Sequence, residues 1–110
     1  VPIFDTRKAA GMTDLLVRDA ALGRALAQSL GRHHAVLMRG HGAVVVGGSL
    51  PLVVRRSIDL ELNARLQMQA MALGGDIVYL DPEEVKEVMA REDAGLDRSW
   101  ELWKRKAMIK

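Results

Sequence analysis

The chain has no cysteine among its 110 residues, which excludes disulfides and thiolate-held metals and gives an oxidising compartment no support, so a cytoplasmic setting is expected. Any metal must be held by histidine, carboxylate or water. Long apolar runs are also missing: the longest are short stretches such as Ala43-Val44-Val45-Val46, far below the roughly 18 residues of a membrane span. Neither charge dominates. Sixteen basic side chains face fourteen acidic ones, for a net charge of +2, too little excess to indicate a nucleic-acid partner. Up to Arg55 there are seven basic and three acidic residues, and beyond it nine and eleven, with no run of like charge long enough for a tail. The opening Val1-Pro2-Ile3-Phe4-Asp5 lacks an initiating methionine and the regions of a signal peptide, so the chain reads as part of a longer protein. No phosphate-binding loop is present, because Gly40-His41-Gly42 lacks the later glycine and the lysine such loops need.

What remains is ordinary globular material, 49% hydrophobic and 27% charged. A chain this long hides roughly two thirds of its unfolded surface, enough for one modest core. The apolar start through Phe4 predicts a strand ending at Asp5, and Thr13-Asp14 offers a cap for a helix from Leu15 to Leu30, with Gly31 at its C-terminus. Ala35–Met38 and Ala43–Val46 lack polar alternation, which predicts two strands covered on both faces. Ser49, with Pro51 in the first turn, should start the longest helix, running to Leu73 before Gly74-Gly75. Its two apolar stripes predict burial on two sides. Asp81-Pro82 should cap a short helix through Met89, and Leu96 to Ala107 a last helix bearing Trp100 and Trp103.

Catalytic groups are scarce: three histidines and one tyrosine. Arg39-Gly40-His41-Gly42 alone invites a chemical reading, since flanking glycines allow a tight turn and leave the imidazole uncrowded, free to bind a metal or move a proton. By spacing alone a turn histidine bonded to a nearby carbonyl is the commoner outcome. His33-His34 reads as a solvated pair whose side chains point to opposite faces. Arg39 could clamp an anion through its guanidinium or point outward as a strand-end arginine. Glu61 and Arg65 have the spacing of an intrahelical or intersubunit ion pair. Met68 and Met71 read as core or interface filler. The basic and aromatic residues from Trp100 to Lys106 alternate as on a membrane or nucleic-acid surface, but Glu92, Asp93, Asp97 and Glu101 favour a docked terminal helix instead.

From Val36 to Gly75 the sequence resembles the class II aldolase/adducin family: an apolar strand, the His-Gly turn, a second strand, then Ser49-Leu50-Pro51 and a long helix through Asn63-Ala64-Arg65-Leu66-Gln67-Met68-Gln69-Ala70. The likeness extends more loosely to Pro2-Ile3-Phe4-Asp5 and Tyr79-Leu80-Asp81-Pro82-Glu83-Glu84. The resemblance implies an α/β fold with three α/β/α layers around a central, largely antiparallel sheet. It makes His41 one of three histidines on a divalent metal, zinc first and manganese second, and overturns the reading from spacing. The family's H-x-H pair and acid/base glutamate have no counterpart here, so residues 1–110 correspond to the C-terminal part of a single such domain. The implied activity is a lyase that breaks a C–C bond of a hydroxy-carbonyl or sugar-phosphate substrate, the metal stabilising an enediolate. A decarboxylase of keto or hydroxyaromatic acids is the alternative, and Arg39 as substrate-binding residue leans toward a carboxylate-bearing substrate. A dehydratase acting on a sugar phosphate, and a non-catalytic adducin-like assembly domain, also share the pattern. Family members are usually homotetramers, and no membrane or nucleic-acid partner is implied.

Overall fold

The computed structural model describes residues 1–109. They belong to two compact units, Val1–Gly47 and a second beginning at Gly48. Together these give a mixed α/β protein with one three-stranded sheet and five helices.

In the first unit, β1 (Ile3–Phe4) pairs in parallel with β2 (Ala35–Met38), and β2 pairs antiparallel with β3 (Gly42–Val45). The described sheet is therefore mixed. Between β1 and β2 run a five-residue helix, α1 (Thr6–Ala10), and α2 (Ala20–Leu30). The core is small: Phe4, Leu22, Val36 and Met38 are buried together, and Val17, Ala25, Leu26, Leu30 and Val44 pack around them. Leu22, Ala25, Leu26 and Leu30 follow the helical spacing of one face, so α2 lays that stripe on the sheet.

The expected start of α2 at Leu15 is corrected by five residues. Thr13 and Asp14 do cap, but locally: Thr13 Oγ1 accepts from the Leu15 N–H and Asp14 Oδ1 from the Leu16 N–H, both at 3.1 Å. These short-range bonds turn the chain instead of nucleating a helix, and Leu15 takes φ 66°, incompatible with a right-handed helix. Asp19 is the true N-cap, accepting from Leu22 N–H at 2.8 Å. The C-terminus at Gly31 agrees with expectation. Coverage of the strands on both faces holds for neither fully: in β2 Leu37 is exposed, and in β3 Gly42 and Ala43 are exposed while Val44 and Val45 are half-buried.

The second unit is helical. Ser49 caps α3 (Leu50–Ala72) by accepting from Leu52 N–H, with Pro51 in the first turn. A full capping box starts α4 (Pro82–Met89), where Asp81 accepts from the Glu84 N–H and Glu84 returns the bond to the Asp81 N–H. Helix α5 (Leu96–Met108) packs on α3. The Arg56 guanidinium forms a two-pronged ion pair with Glu92, and Arg55 donates to the Ala94 carbonyl at 3.0 Å, tying α3 to the segment leading into α5. Trp100 and Trp103 are half-buried, in line with a docked terminal helix, and Lys104 sits 5.8 Å from the centre of the Trp100 ring. Glu61 and Arg65 form the expected pair at 3.6 Å. Two-sided burial of α3 does not occur among the described residues: Leu52 alone is buried on it, and Met68 and Met71, expected as core or interface filler, are 72% and 62% exposed and so do not fill this chain's core. No described helix is long and apolar enough to cross a membrane.

Candidate functional site

The pairing of Met38 with Gly42 closes the β2–β3 ladder and leaves Arg39-Gly40-His41 as a three-residue tip. The His41 N–H donates to the Met38 carbonyl at 3.0 Å, so Met38 to His41 is a hydrogen-bonded turn. Its third residue, Gly40, has φ 70°, the conformation a type II turn demands there and one that a side chain disfavours. Gly42 follows at φ 155°. The glycine spacing of the motif is thus the local reason that the tip can form. The turn bond uses the histidine's backbone, and the residue as a whole is exposed. The tight turn and the exposure of His41 are the parts of the sequence expectation that the fold shows.

Arg39 is not a bare strand-end cation. Phe4 lies opposite Met38 in the parallel pair, and the Arg39 N–H donates to the Phe4 carbonyl at 3.0 Å. One residue further on, Asp5 and Arg39 are therefore neighbours, and Arg39 Nε lies 2.9 Å from Asp5 Oδ1. Asp5 also caps α1 through the Arg7 N–H and takes the Arg7 guanidinium at 3.2 Å. Hydrogen bonds from Arg7 first, and Arg39 second, hold the Asp5 carboxyl well below the usual carboxylate range. One carboxylate shared by two guanidinium groups leaves the cluster with a net positive charge beside the His41 turn. Asp5 escaped the sequence reading as a functional neighbour because only the strand register reveals it. The next residue, Thr6, is buried with its Oγ1 lacking any hydrogen-bond partner among the described residues.

His33 and His34 do not join His41. The Val46 N–H donates to the His34 carbonyl at 2.9 Å, so the pair flanks the open end of the hairpin while His41 sits at its tip. A cleft of about 340 Å³ beside β1, α1 and α2 has Asp5, Lys8, Gln28 and Ser29 on its walls; His41 is not among its lining residues.

A structural or catalytic zinc takes three or four protein ligands. Among the described residues no three His, Asp or Glu side chains converge, and Asp5 is already committed to two arginines. These residues alone therefore do not fit a complete metal centre; His41 offers one donor. No curated protein matches the chain. The family model described as the class II aldolase and adducin N-terminal domain matches residues 3–68, taking in the Asp5–Arg39 pair, the His41 turn and most of α3, and with more than half of its length inside that match the chain belongs to this family.

Proposed function

We propose that the chain supplies the histidine turn of a metal-dependent lyase that breaks a C–C bond in a hydroxy-carbonyl or sugar-phosphate substrate. The observation that carries this reading is the exposed His41 at a glycine-flanked turn inside the family match. His41 is the proposed metal ligand, with zinc preferred and manganese second, and the remaining ligands come from outside the described residues. In the assembled protein the proposed fold is the three-layer α/β/α arrangement with a largely antiparallel sheet, in a homotetramer. The Asp5–Arg39–Arg7 cluster supports a role for Arg39 at an anionic group of the substrate: its guanidinium keeps donors beyond those spent on Asp5, and it is partly exposed. That charge keeps decarboxylation of a keto or hydroxyaromatic acid as the alternative within the same chemistry.

A second reading is a non-catalytic adducin-like assembly domain. It is favoured by the exposed apolar residues of α3, among them Leu66, Met68 and Met71, together with the lack of a converging ligand set among the described residues.

Metal content per chain, by elemental analysis of the assembled protein that includes the segment supplying the other ligands and of its His41→Ala variant, separates the two when hydroxy-carbonyl and carboxylate substrates are assayed in parallel. The lyase reading expects about one zinc or manganese per chain, lost in the variant, together with cleavage. Absence of metal and product from both proteins, or metal retained by the variant, overturns it.

A further inference from the structure

We propose that Leu15 is the positioning residue of the His41 turn, its isobutyl group bracing Gly40 and thereby fixing where the neighbouring imidazole points. The inference deepens the lyase reading and rests on it only for the use made of that imidazole.

Leu15 is the one non-glycine residue at positive φ among the described residues. A side chain in the left-handed region is strained and persists only where the surroundings impose it. Here they do so from both directions. Thr13 Oγ1 holds the Leu15 N–H and Asp14 Oδ1 holds the Leu16 N–H, while Asp14 is itself tied to Arg18, Nε to Oδ2, at 2.8 Å. Downstream, Val17 packs on the core and Asp19 caps α2. The result of the strain is specific: Leu15 Cδ1 ends 3.2 Å from the point that a Cβ on Gly40 would occupy.

Leu15 is only half-buried, so core burial alone is a weak return for that conformation. Its contact instead completes a set of restraints on the tip. Arg39 is held from the β1–α1 junction by Asp5, Gly40 from the 11–19 loop by Leu15, and His41 from β2 by the Met38 carbonyl. Exposed hairpin tips are ordinarily mobile. Three restraints from three separate segments make this one rigid, as a ligand or proton-transfer group requires.

The test uses the full chain without metal or substrate, reading amide hydrogen exchange together with the carbon-bound proton signals of the His41 ring by NMR. Leu15→Ala is expected to speed exchange at the His41 amide about tenfold and to average the ring over several rotamers, with Val36 and Leu26 amides changing less than about twofold. Leu15→Met, which restores reach with an unbranched chain, should return both signals toward the parent. Unchanged His41 signals in Leu15→Ala, an equal acceleration at Val36, or failure of Leu15→Met to rescue a folded protein would each overturn the proposal. Since the readout needs no metal, it is separable from the lyase reading. A His41 response in a protein that never binds metal supports the brace and removes the lyase; metal lost in His41→Ala with no His41 response to Leu15→Ala does the reverse.

Discussion

The two units reach order by different means. Residues 1–47 contain nearly all of the buried apolar side chains, Phe4, Leu22, Ala35, Val36 and Met38, and their contacts join segments far apart in sequence. Among the described residues from Gly48 onward, Leu52 alone of the apolar residues is buried, yet this unit has three helices against two, and the longest of them is α3. What specifies them is local: the Ser49 cap and Pro51, the Asp81–Glu84 capping box with Pro82, and ion pairs one turn apart such as Glu61–Arg65 and Glu101–Lys104. Local signals decide where a helix begins and ends, but each contributes only a few tenths to about 1 kcal/mol. Packing supplies most of a helix's stability. The contrast teaches that the second unit is better defined in its secondary structure than in its burial.

The sharpest way to break that contrast is Phe4→Ala. Emptying a 4%-exposed site in so small a core is expected to cost about 3–5 kcal/mol, read from urea unfolding followed through sheet signals. A loss below about 1 kcal/mol would mean that the first unit is not held by this cluster. Next comes Asp81→Ala, which removes the carboxylate half of the capping box, the acceptor for the Glu83 and Glu84 N–H groups, and is expected to cost about 1 kcal/mol. Amide exchange across α4 should rise while β2 is unaffected; no change in α4 would undo the account of the second unit as locally specified.

Thr6→Val runs the other way. It replaces a buried hydroxyl lacking a described partner with a methyl group of the same shape, and a gain of about 0.5–1 kcal/mol in unfolding free energy is expected. Destabilisation would show that the hydroxyl is bonded in solution. The smallest expected effect is electrostatic and screened by solvent. Asp5 is lowered in the folded chain, chiefly by Arg7 and then by Arg39, so the unfolded chain takes up the proton first as pH falls. The stabilisation is therefore complete above the ordinary aspartate value of about 3.9 and is lost as pH drops below it toward the depressed folded value. Asp5→Asn should flatten the acid side of a plot of urea midpoint against pH, and an unchanged slope would show that the cluster does not form in solution.

Much of the fold is legible from residue types that act over one turn. Gly31, Ser49, Pro51, Asp81 and Pro82 each stand where the sequence placed them, because their effect depends on backbone geometry within three or four residues. Residue type does not fix the start of α2, because Thr13, Asp14 and Asp19 are equally good caps by type; which of them leads into a helix depends on whether Leu15 turns left-handed against Gly40. The apolar run of β2 marks its bounds, but an apolar face announces that it can be buried without saying what meets it, so the coverage of β2, β3 and α3 is not legible in the sequence. At the candidate site the His41 turn was legible in its glycines. Its neighbours were not, because Asp5 is 34 positions and Leu15 is 26 positions away from Arg39 and His41 respectively.

By itself, then, the sequence determined the caps of α3 and α4, the C-terminus of α2, the two hairpin strands, the glycine-permitted turn that exposes His41, and enough of a pattern to point to the family. Those depend on φ preferences, short-range hydrogen bonds and hydrophobic periodicity, all of which act between near neighbours. Tertiary structure alone decided that Asp5 meets Arg39, that a strained Leu15 leans on Gly40, and that Leu22, Ala25, Leu26 and Leu30 are the face of α2 turned to the core. The reason is physical: a parallel pairing and a loop closing on a hairpin bring distant segments together, and the free energy that selects one register over another is shared among all the contacts of the packed core.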